Sequence, residues 1–475
     1  MANYKTPGVY DEEISKLPAS VAPVATAIPA FIGYTEKSEK NGEPLATATP
    51  VRITSLLEYE EIFGGAFNEK LSVTLTGGSV AEVDTIITVA AASQLSPYTL
   101  YNNLVMYFGN GGGPCYIVSV GIYTYAAIPA DASTLIDVDN LQAGLVAVET
   151  EDEVTLLVVP EAIVLSSVKR KIINDNMLVQ CNKLQDRFAI MDAAVLGDTA
   201  NDDGIGFRGD VGADYLKYGA SYYPSLKTII ELNFKNSDVV ITDNRAGGTF
   251  TGGKTLEDVQ NGNEGDKTLY NNIVKEIKKK FEVTLYPSSA MAGVFARVDL
   301  ERGVWKAPVH VNLHLVKDLS VMVTDEQLGN LNIDATTGKS INVIRKLAGK
   351  GVIVWGARTL AGNDNEWRYV SVRRLSIFIE KSVKKATEFV VFEPNDANTW
   401  LRTKTMIENF LITLWRDGAL AGASPEDAFF VKVGLGETMT TLDILEGRLN
   451  IEIGLTADKP AEFIILKISH KMQES

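Results

Sequence analysis

The chain has 475 residues, of which 45% are hydrophobic and 22% charged, with a formal net charge of −15. That length allows about two or three domains around a sizeable core, and the balance excludes bulk disorder. Residues 281–475 hold 23 Lys/Arg against 24 Asp/Glu, whereas the first 280 hold 22 against 36, so the acidity lies in the first three-fifths. An acidic surface repels phosphates, which argues against nucleic-acid binding and for a solvated outer face.

Residues 1–26 read as an arm. Tyr4 to Tyr10 carries the Pro7-Gly8 turn among aromatic and β-branched residues, and Pro18 and Pro23 forbid a long helix. The start lacks the basic-then-apolar pattern of a signal peptide. The weakly polar stretch from Val21 to Tyr34 is short and broken by Pro23 and Pro29, so it does not make a membrane span. Folding in the cytoplasm is the expectation.

From Ala27 to about Leu285, strand candidates at Ala30–Tyr34, Cys115–Val120, Thr155–Val159, Phe188–Met191 and Ser221–Tyr223 alternate with helical stretches. The helices are expected at Tyr98–Phe108, Thr134–Glu149 and Ser166–Gln185, the last with Val168, Ile172 and Val179 on one face. This alternation predicts a mainly parallel sheet covered by helices. Two segments interrupt it. Residues 68–96 are rich in Thr, Ala and Gly, and residues 233–268 in Asn, Asp and Gly; they read as surface loops or small β-excursions. Cys115 and Cys181 have no CxxC spacing and read as two free, buried thiols.

After Pro287 the pattern changes. Gly351–Leu360 and Trp367–Val372 read as strands, and Arg374–Phe389 and Trp400–Asp417 as amphipathic helices. Ser424-Pro425 reads as a helix start. Leu449, Ile451, Ile453 and Leu455 alternate as in a half-buried strand; Pro460 breaks the chain, and Phe463–Ile468 reads as another strand. Both ends are therefore strand-like segments set off by prolines. The expected class is α/β (α+β) and multi-domain.

Several motifs suggest chemistry without supporting it. Gly248–Thr255 matches the phosphate-loop pattern GxxxxGK[ST], in which Lys254 would reach the outer phosphates. The loop should leave a strand directly and open a long helix, but Asp243–Gly247 intervenes and Asn261-Gly262-Asn263 cuts off any helix after Thr255. His310 and His314 are four apart in a stretch that alternates like a strand, Pro308–Leu315, which would hold them roughly 13 Å apart and too far for one ion. His470 stands alone near the tail. Arg208-Gly209-Asp210 is a common tripeptide, and Lys278-Lys279-Lys280 reads as a solvated helical face. No catalytic, cofactor-binding or metal-ligating set emerges, and an enzyme is not expected. A nucleotide-binding enzyme built on Lys254 and a non-contractile shell or scaffold protein are the alternative readings.

Longer matches point elsewhere. Tyr4–Ile14 and Thr26–Tyr34 closely resemble the start of phage tail sheath proteins. Phe108–Gly112 leading into Cys115–Val118, and Tyr222-Tyr223-Pro224, follow in family order. Tyr286–Ser289, Ala292–Asp299, Arg302–Pro308, Val354–Leu360, Tyr369–Leu375 and Pro460–Phe463 complete a likeness that covers nearly the whole chain and is densest after residue 286. The insertions at 68–96 and 233–268 are not part of the common pattern.

The resemblance implies a homopolymer that forms a contractile sheath around an inner tube, attached to baseplate and terminal cap proteins. It implies no cofactor, no nucleic acid and no direct membrane insertion. Assembly in the bacterial cytoplasm is implied, within a phage tail or an extracellular phage-tail-like particle. It divides the chain into an N-terminal arm (1–26), an outer α/β domain (27–285), a C-terminal core domain facing the tube (286–456) and a C-terminal strand arm (457–475). Inter-subunit contacts are expected from Thr6, Pro7, Gly8, Val9, Tyr10 and Ile14 of the first arm. The second contributes Glu462, Phe463, Ile464, Ile465, Leu466 and Ile468, each arm adding a strand to a neighbour's sheet.

Overall fold

The computed structural model describes residues 21–77, 85–91, 94–125, 128–129, 131–245, 254–261, 264–460 and 462. They form two compact units, one comprising residues 25–377 with 459, 460 and 462, the other residues 378–458 with 21–24. The compact division falls within one helix, between Ile377 and Phe378.

The larger unit is built on an eight-stranded sheet. Its strands are β1 Pro29–Thr35, β2 Pro50–Ile53, β3 Cys115–Ile122, β4 Leu156–Val158, β5 Phe188–Asp192, β6 Gly219–Tyr223, β7 Asn342–Leu347 and β8 Gly351–Val354. Their spatial order is β8–β7–β6–β5–β4–β1–β3–β2. The six central strands pair in parallel, and β2 and β8 close the two edges antiparallel. All of β1, β4, β5 and β6 is buried, as expected of parallel strands covered on both faces. The sheet draws strands from both sides of residue 286.

Helices α1 Leu100–Gly109, α2 Val138–Val148, α3 Ser167–Leu184, α4 Ala200–Gly209 and α5 Ser288–Arg302 accompany the sheet. In α2 the backbone approaches the strands so closely that a Cβ on Gly144 would stand 2.6 Å from both Ile32 and Val120. Two buried carboxyls hold helix starts. Glu161 accepts from Thr99 N (2.9 Å) and Leu100 N (3.2 Å) at α1, and from Tyr34 N in β1 (2.8 Å). Asp192, ending β5, accepts from Ser288 N (2.7 Å) and Oγ (2.5 Å) at α5. Burial pushes both carboxyls up to about 7, against the pull of these hydrogen bonds.

The expected inner face of α3 is corrected. Val168, Ile172 and Val179 are exposed, and the buried face carries Arg170, Ile173, Asn174, Met177, Leu178 and Cys181. Polar groups point inward because they meet partners there. Arg170 pairs with buried Asp210 at 2.7 Å, and Asn174 Nδ2 donates to the Asp210 carbonyl at 3.0 Å. Cys115 and Cys181 are free and buried.

The two insertions meet. Leu71–Thr76 lies parallel to Val239–Asp243 and antiparallel to Ile86–Ala91, and Lys254–Thr255 adds a short fourth strand. Leu71, Val73, Leu75, Val239 and Ile241 pack with Ile273 and Ile277 of the helix Glu264–Lys280. What reads as two surface excursions is one subdomain with its own core.

In the smaller unit, helix α6 (Val370–Thr387) contributes its end from Phe378, and helix α7 (Ala397–Arg416) packs Met406, Ile407, Phe410, Leu411 and Leu414 inward. Phe378 and Phe410 rings meet at 6.0 Å. Phe429–Lys432 and Glu452–Leu455 form an antiparallel two-stranded sheet, so the alternation at 449–455 is a strand over its second half. Ser424 and Asp427 make a capping box on the four-residue helix Pro425–Ala428. Among the described residues each strand of this sheet has a single strand partner, leaving an edge on either side.

Candidate inter-subunit site: the roots of the two arms

Of the twelve arm residues named from the sequence, only Glu462 is described. Thr6, Pro7, Gly8, Val9, Tyr10, Ile14, Phe463, Ile464, Ile465, Leu466 and Ile468 lie outside the described residues. The structure does show where each arm joins the larger unit.

The C-terminal root rests on the loop after β8. Asn342, opening β7, uses its side chain as a brace: Nδ2 donates to the carbonyls of Ser221 (3.1 Å) and Arg358 (2.8 Å), and Oδ1 accepts from Arg358 N (2.7 Å). The loop passes so close that a Cβ on Gly356 would stand 2.9 Å from Asn342 Cα. Arg358 is thereby fixed, and its side chain is only 4% exposed. Its Nη1 donates to the Gly362 carbonyl at 3.1 Å. The rest of its fork meets Glu462, with Nε at 3.0 and 3.1 Å from the two carboxylate oxygens and Nη2 at 2.6 Å from Oε2. Asn332 Nδ2 donates to Oε1 at 2.7 Å and Tyr369 OH to Oε2 at 3.1 Å. Lys459 Nζ donates to the Asn365 carbonyl at 2.9 Å.

Burial works against ionising Glu462. The hydrogen bonds from Arg358 and Asn332 outweigh it and hold the carboxyl below its usual range. Burial and the adjacent Glu462 charge raise the Tyr369 phenol.

The N-terminal root is held by a second buried arginine. Arg374 Nη2 donates to the Thr26 carbonyl at 2.9 Å, and Arg374 pairs bidentately with Asp299 at 2.9 and 2.5 Å. Its guanidinium stacks 4.6 Å from the Phe295 ring. Thr155 Oγ1 also donates to the Thr26 carbonyl (3.0 Å) and accepts from Ile28 N (2.8 Å), feeding the chain into β1. The sequence reading passed over Arg358, Tyr369, Arg374 and Asp299 as site residues, although all four lie inside the stretches that resemble sheath proteins.

The remaining motifs resolve into structural roles. Gly248–Gly253 lies outside the described residues; Lys254 sits in an antiparallel hairpin with Nζ 3.8 Å from Asp258, and Thr255 caps a five-residue helix. Pro308–Leu315 is not the expected regular strand. His310 has φ +59° and its ring meets that of Trp355 at a tilt of 59°, centroids 4.9 Å apart, and Arg297 Nη1 donates to His314 Nε2 at 2.8 Å. Packing against Trp355 and Arg297 overrides the alternating pattern. Trp367–Val372 is likewise no strand, since α6 begins at Val370. Arg208 donates to the carbonyls of Lys339, Asn330 and Leu331, and Asp210 is the buried partner of Arg170. Lys278 and Lys279 pair with Glu231 and Glu276. Among the described residues, no cluster of His, Cys, Asp and Glu could hold a metal and no helix is long and apolar enough to cross a membrane.

A family profile described as the phage tail sheath C-terminal domain matches residues 362–471. The tail sheath protein of Vibrio phage KVP40 is 27% identical over 124 residues, 26% of this chain and 18% of that protein. The sheath of an extracellular contractile injection system, PVC, in its contracted state is 29% identical, with a TM-score of 0.64 and coverage of 99% of both chains. The helical sheath of the anti-feeding prophage, AFP, also contracted, is 30% identical at a TM-score of 0.64, covering 98% of this chain and 100% of that one. A sheath tail protein from Listeria innocua, 10% identical over 92% of this chain and 96% of its own with a TM-score of 0.50, shares the fold. This chain belongs to the family of contractile tail sheath proteins and is a structural sheath protein of a contractile injection system.

Proposed function

We propose that this chain polymerises helically around an inner tube and shortens to drive that tube through a target envelope, without catalysing a reaction. The observation that carries this reading is the near end-to-end similarity to the AFP helical sheath in its contracted state. Neighbouring copies are joined by strand exchange. Residues 4–14 and 461–469 are strand-competent and set apart by prolines, and among the described residues each strand of the sheet of Phe429–Lys432 and Glu452–Leu455 has an edge that could take such a strand. Such links through the arms let the joined bodies rotate as the tube shortens without separating. Residues 286–456 face the inner tube, and the acidic part with its insertions faces solvent. Baseplate and cap proteins close the ends. Assembly takes place in the bacterial cytoplasm, and the product is a phage tail or an extracellular particle.

Deleting residues 1–14 tests the strand exchange. The truncated chain is expected to remain a folded, soluble monomer that no longer polymerises, and Ile465→Pro, which removes a ladder donor, is expected to act alike. Full-length sheaths from the truncated chain would refute the reading.

A further inference from the structure

Resting on the reading that neighbouring subunits exchange arm strands, we infer that Glu462 is a positioning residue that clasps the C-terminal arm to its own subunit and sets where the tether to the next one begins. Asn332, Arg358 and Tyr369, from three separate parts of the chain, converge on this one carboxylate. Arg358 is also held by Gly362 and Asn342, through bonds that do not involve Glu462. A carboxylate that meets a fixed, buried fork gains charge-assisted bonds with little left to order. The apolar run Phe463-Ile464-Ile465-Leu466 follows Glu462 directly in sequence. A clasp and a donated strand are thus adjacent in sequence and distinct in chemistry.

Upstream of the clasp, the next hold on the larger unit is Lys459, whose Nζ donates to the Asn365 carbonyl. With the clasp shut, the free tether starts after Glu462; with it open, the tether starts after Lys459. Three more residues at about 3.3 Å each add roughly 10 Å of slack. That is about twice the ~4.8 Å spacing of neighbouring strands, enough to let an arm pair in a wrong register or with a wrong neighbour. The clasp therefore serves lattice order. The Arg374 hold on Thr26 is its counterpart at the other root, so one short segment anchors both arms.

The test uses the full chain, as soluble subunit and as assembled tube, with Glu462→Ala and a control truncated after Glu462. Hydrogen exchange of the subunit and cryo-EM of the tubes are the readouts. Glu462→Ala is expected to speed amide exchange across residues 455–462 on the order of tenfold or more. Exchange in β1, β4 and β5 stays unchanged, and the tubes lose helical order. Wild-type exchange at 455–462 with wild-type tube order would overturn the clasp. Should Glu462→Ala be insoluble, Asn332→Ala with Tyr369→Phe leaves Arg358 paired and is expected to give a smaller acceleration; none would overturn the proposal. If truncation after Glu462 blocks assembly while Glu462→Ala behaves as wild type, the clasp alone fails. If the truncated chain still builds ordered tubes, strand exchange itself fails, and the clasp with it.

Discussion

Replacing Arg374 by Ala removes more than a surface charge. Its side chain is 4% exposed and that of Asp299 6%, so the substitution strands a carboxylate away from water. Breaking a buried pair from one side costs about 3–5 kcal/mol. The lost bond to the Thr26 carbonyl adds about 1–2 kcal/mol and the contact with Phe295 about 1, although such terms do not sum fully. The expected loss is about 4 kcal/mol, a large fraction of a typical total of about 5–15. Lysine keeps the charge but cannot fork between Asp299 and Thr26, so Arg374→Lys is expected to cost about 1–2 kcal/mol. Urea unfolding of the soluble subunit, followed by tryptophan fluorescence, measures both. Removing both partners, Arg374→Ala with Asp299→Ala, is expected to recover more than about 1 kcal/mol over Arg374→Ala alone, because no buried charge is then left unpaired. The reasoning is refuted if Arg374→Ala costs less than about 1 kcal/mol, or if the double substitution recovers nothing.

Asp192 and Glu161, at about 7 in the folded chain against ordinary values of 3.8 and 4.5, bind protons more tightly folded than unfolded. Their contribution is therefore fully present below about pH 4 and is lost as pH rises through about 7, on the order of 4 kcal/mol for Asp192 and 3 kcal/mol for Glu161. Asp192→Asn keeps an acceptor for Ser288 N and a donor for Ser288 Oγ, so unfolding midpoints between pH 5 and 8 should vary less in this variant; an unchanged slope would speak against the assignment. For the insertion subdomain, removing residues 68–96 together with 233–281, which includes the helix carrying Ile273 and Ile277, is expected to leave the melting temperature of the rest nearly unchanged, since these segments share their own core. Removing 68–96 alone uncovers Val239, Ile241, Ile273 and Ile277 and is expected to cause aggregation, so a soluble single deletion would contradict the shared core.

The central sheet was legible because parallel strands buried on both faces are continuous apolar runs, and β1, β3, β4, β5 and β6 stand out as such. Helix α3 misled because its inward side is polar: Arg170 and Asn174 are satisfied by Asp210, and such a partnership leaves no hydrophobic period to read. The pairing of Leu71–Thr76 with Val239–Asp243 was hidden by more than 160 residues of intervening chain, for which local pattern carries no signal. Pro308–Leu315 alternates like a strand, yet the left-handed backbone at His310 and Leu315 breaks the ladder. At the arm roots, the sequence marks the strand-like ends but not their anchors. Arg358 and Arg374 look like ordinary surface charges until the fold buries them beside Glu462 and Asp299.

Cryo-EM of purified assemblies of the full chain tests the account most directly, by tracing residues 4–14 and 461–469 into density. The account predicts a helical tube with a long and a short form, in both of which these segments cross to neighbouring copies and lie as strands against Phe429–Lys432 and Glu452–Leu455, while each Glu462 stays on Arg358 of its own chain. Arms that fold back onto their own subunit, or a tube with one length only, would contradict it.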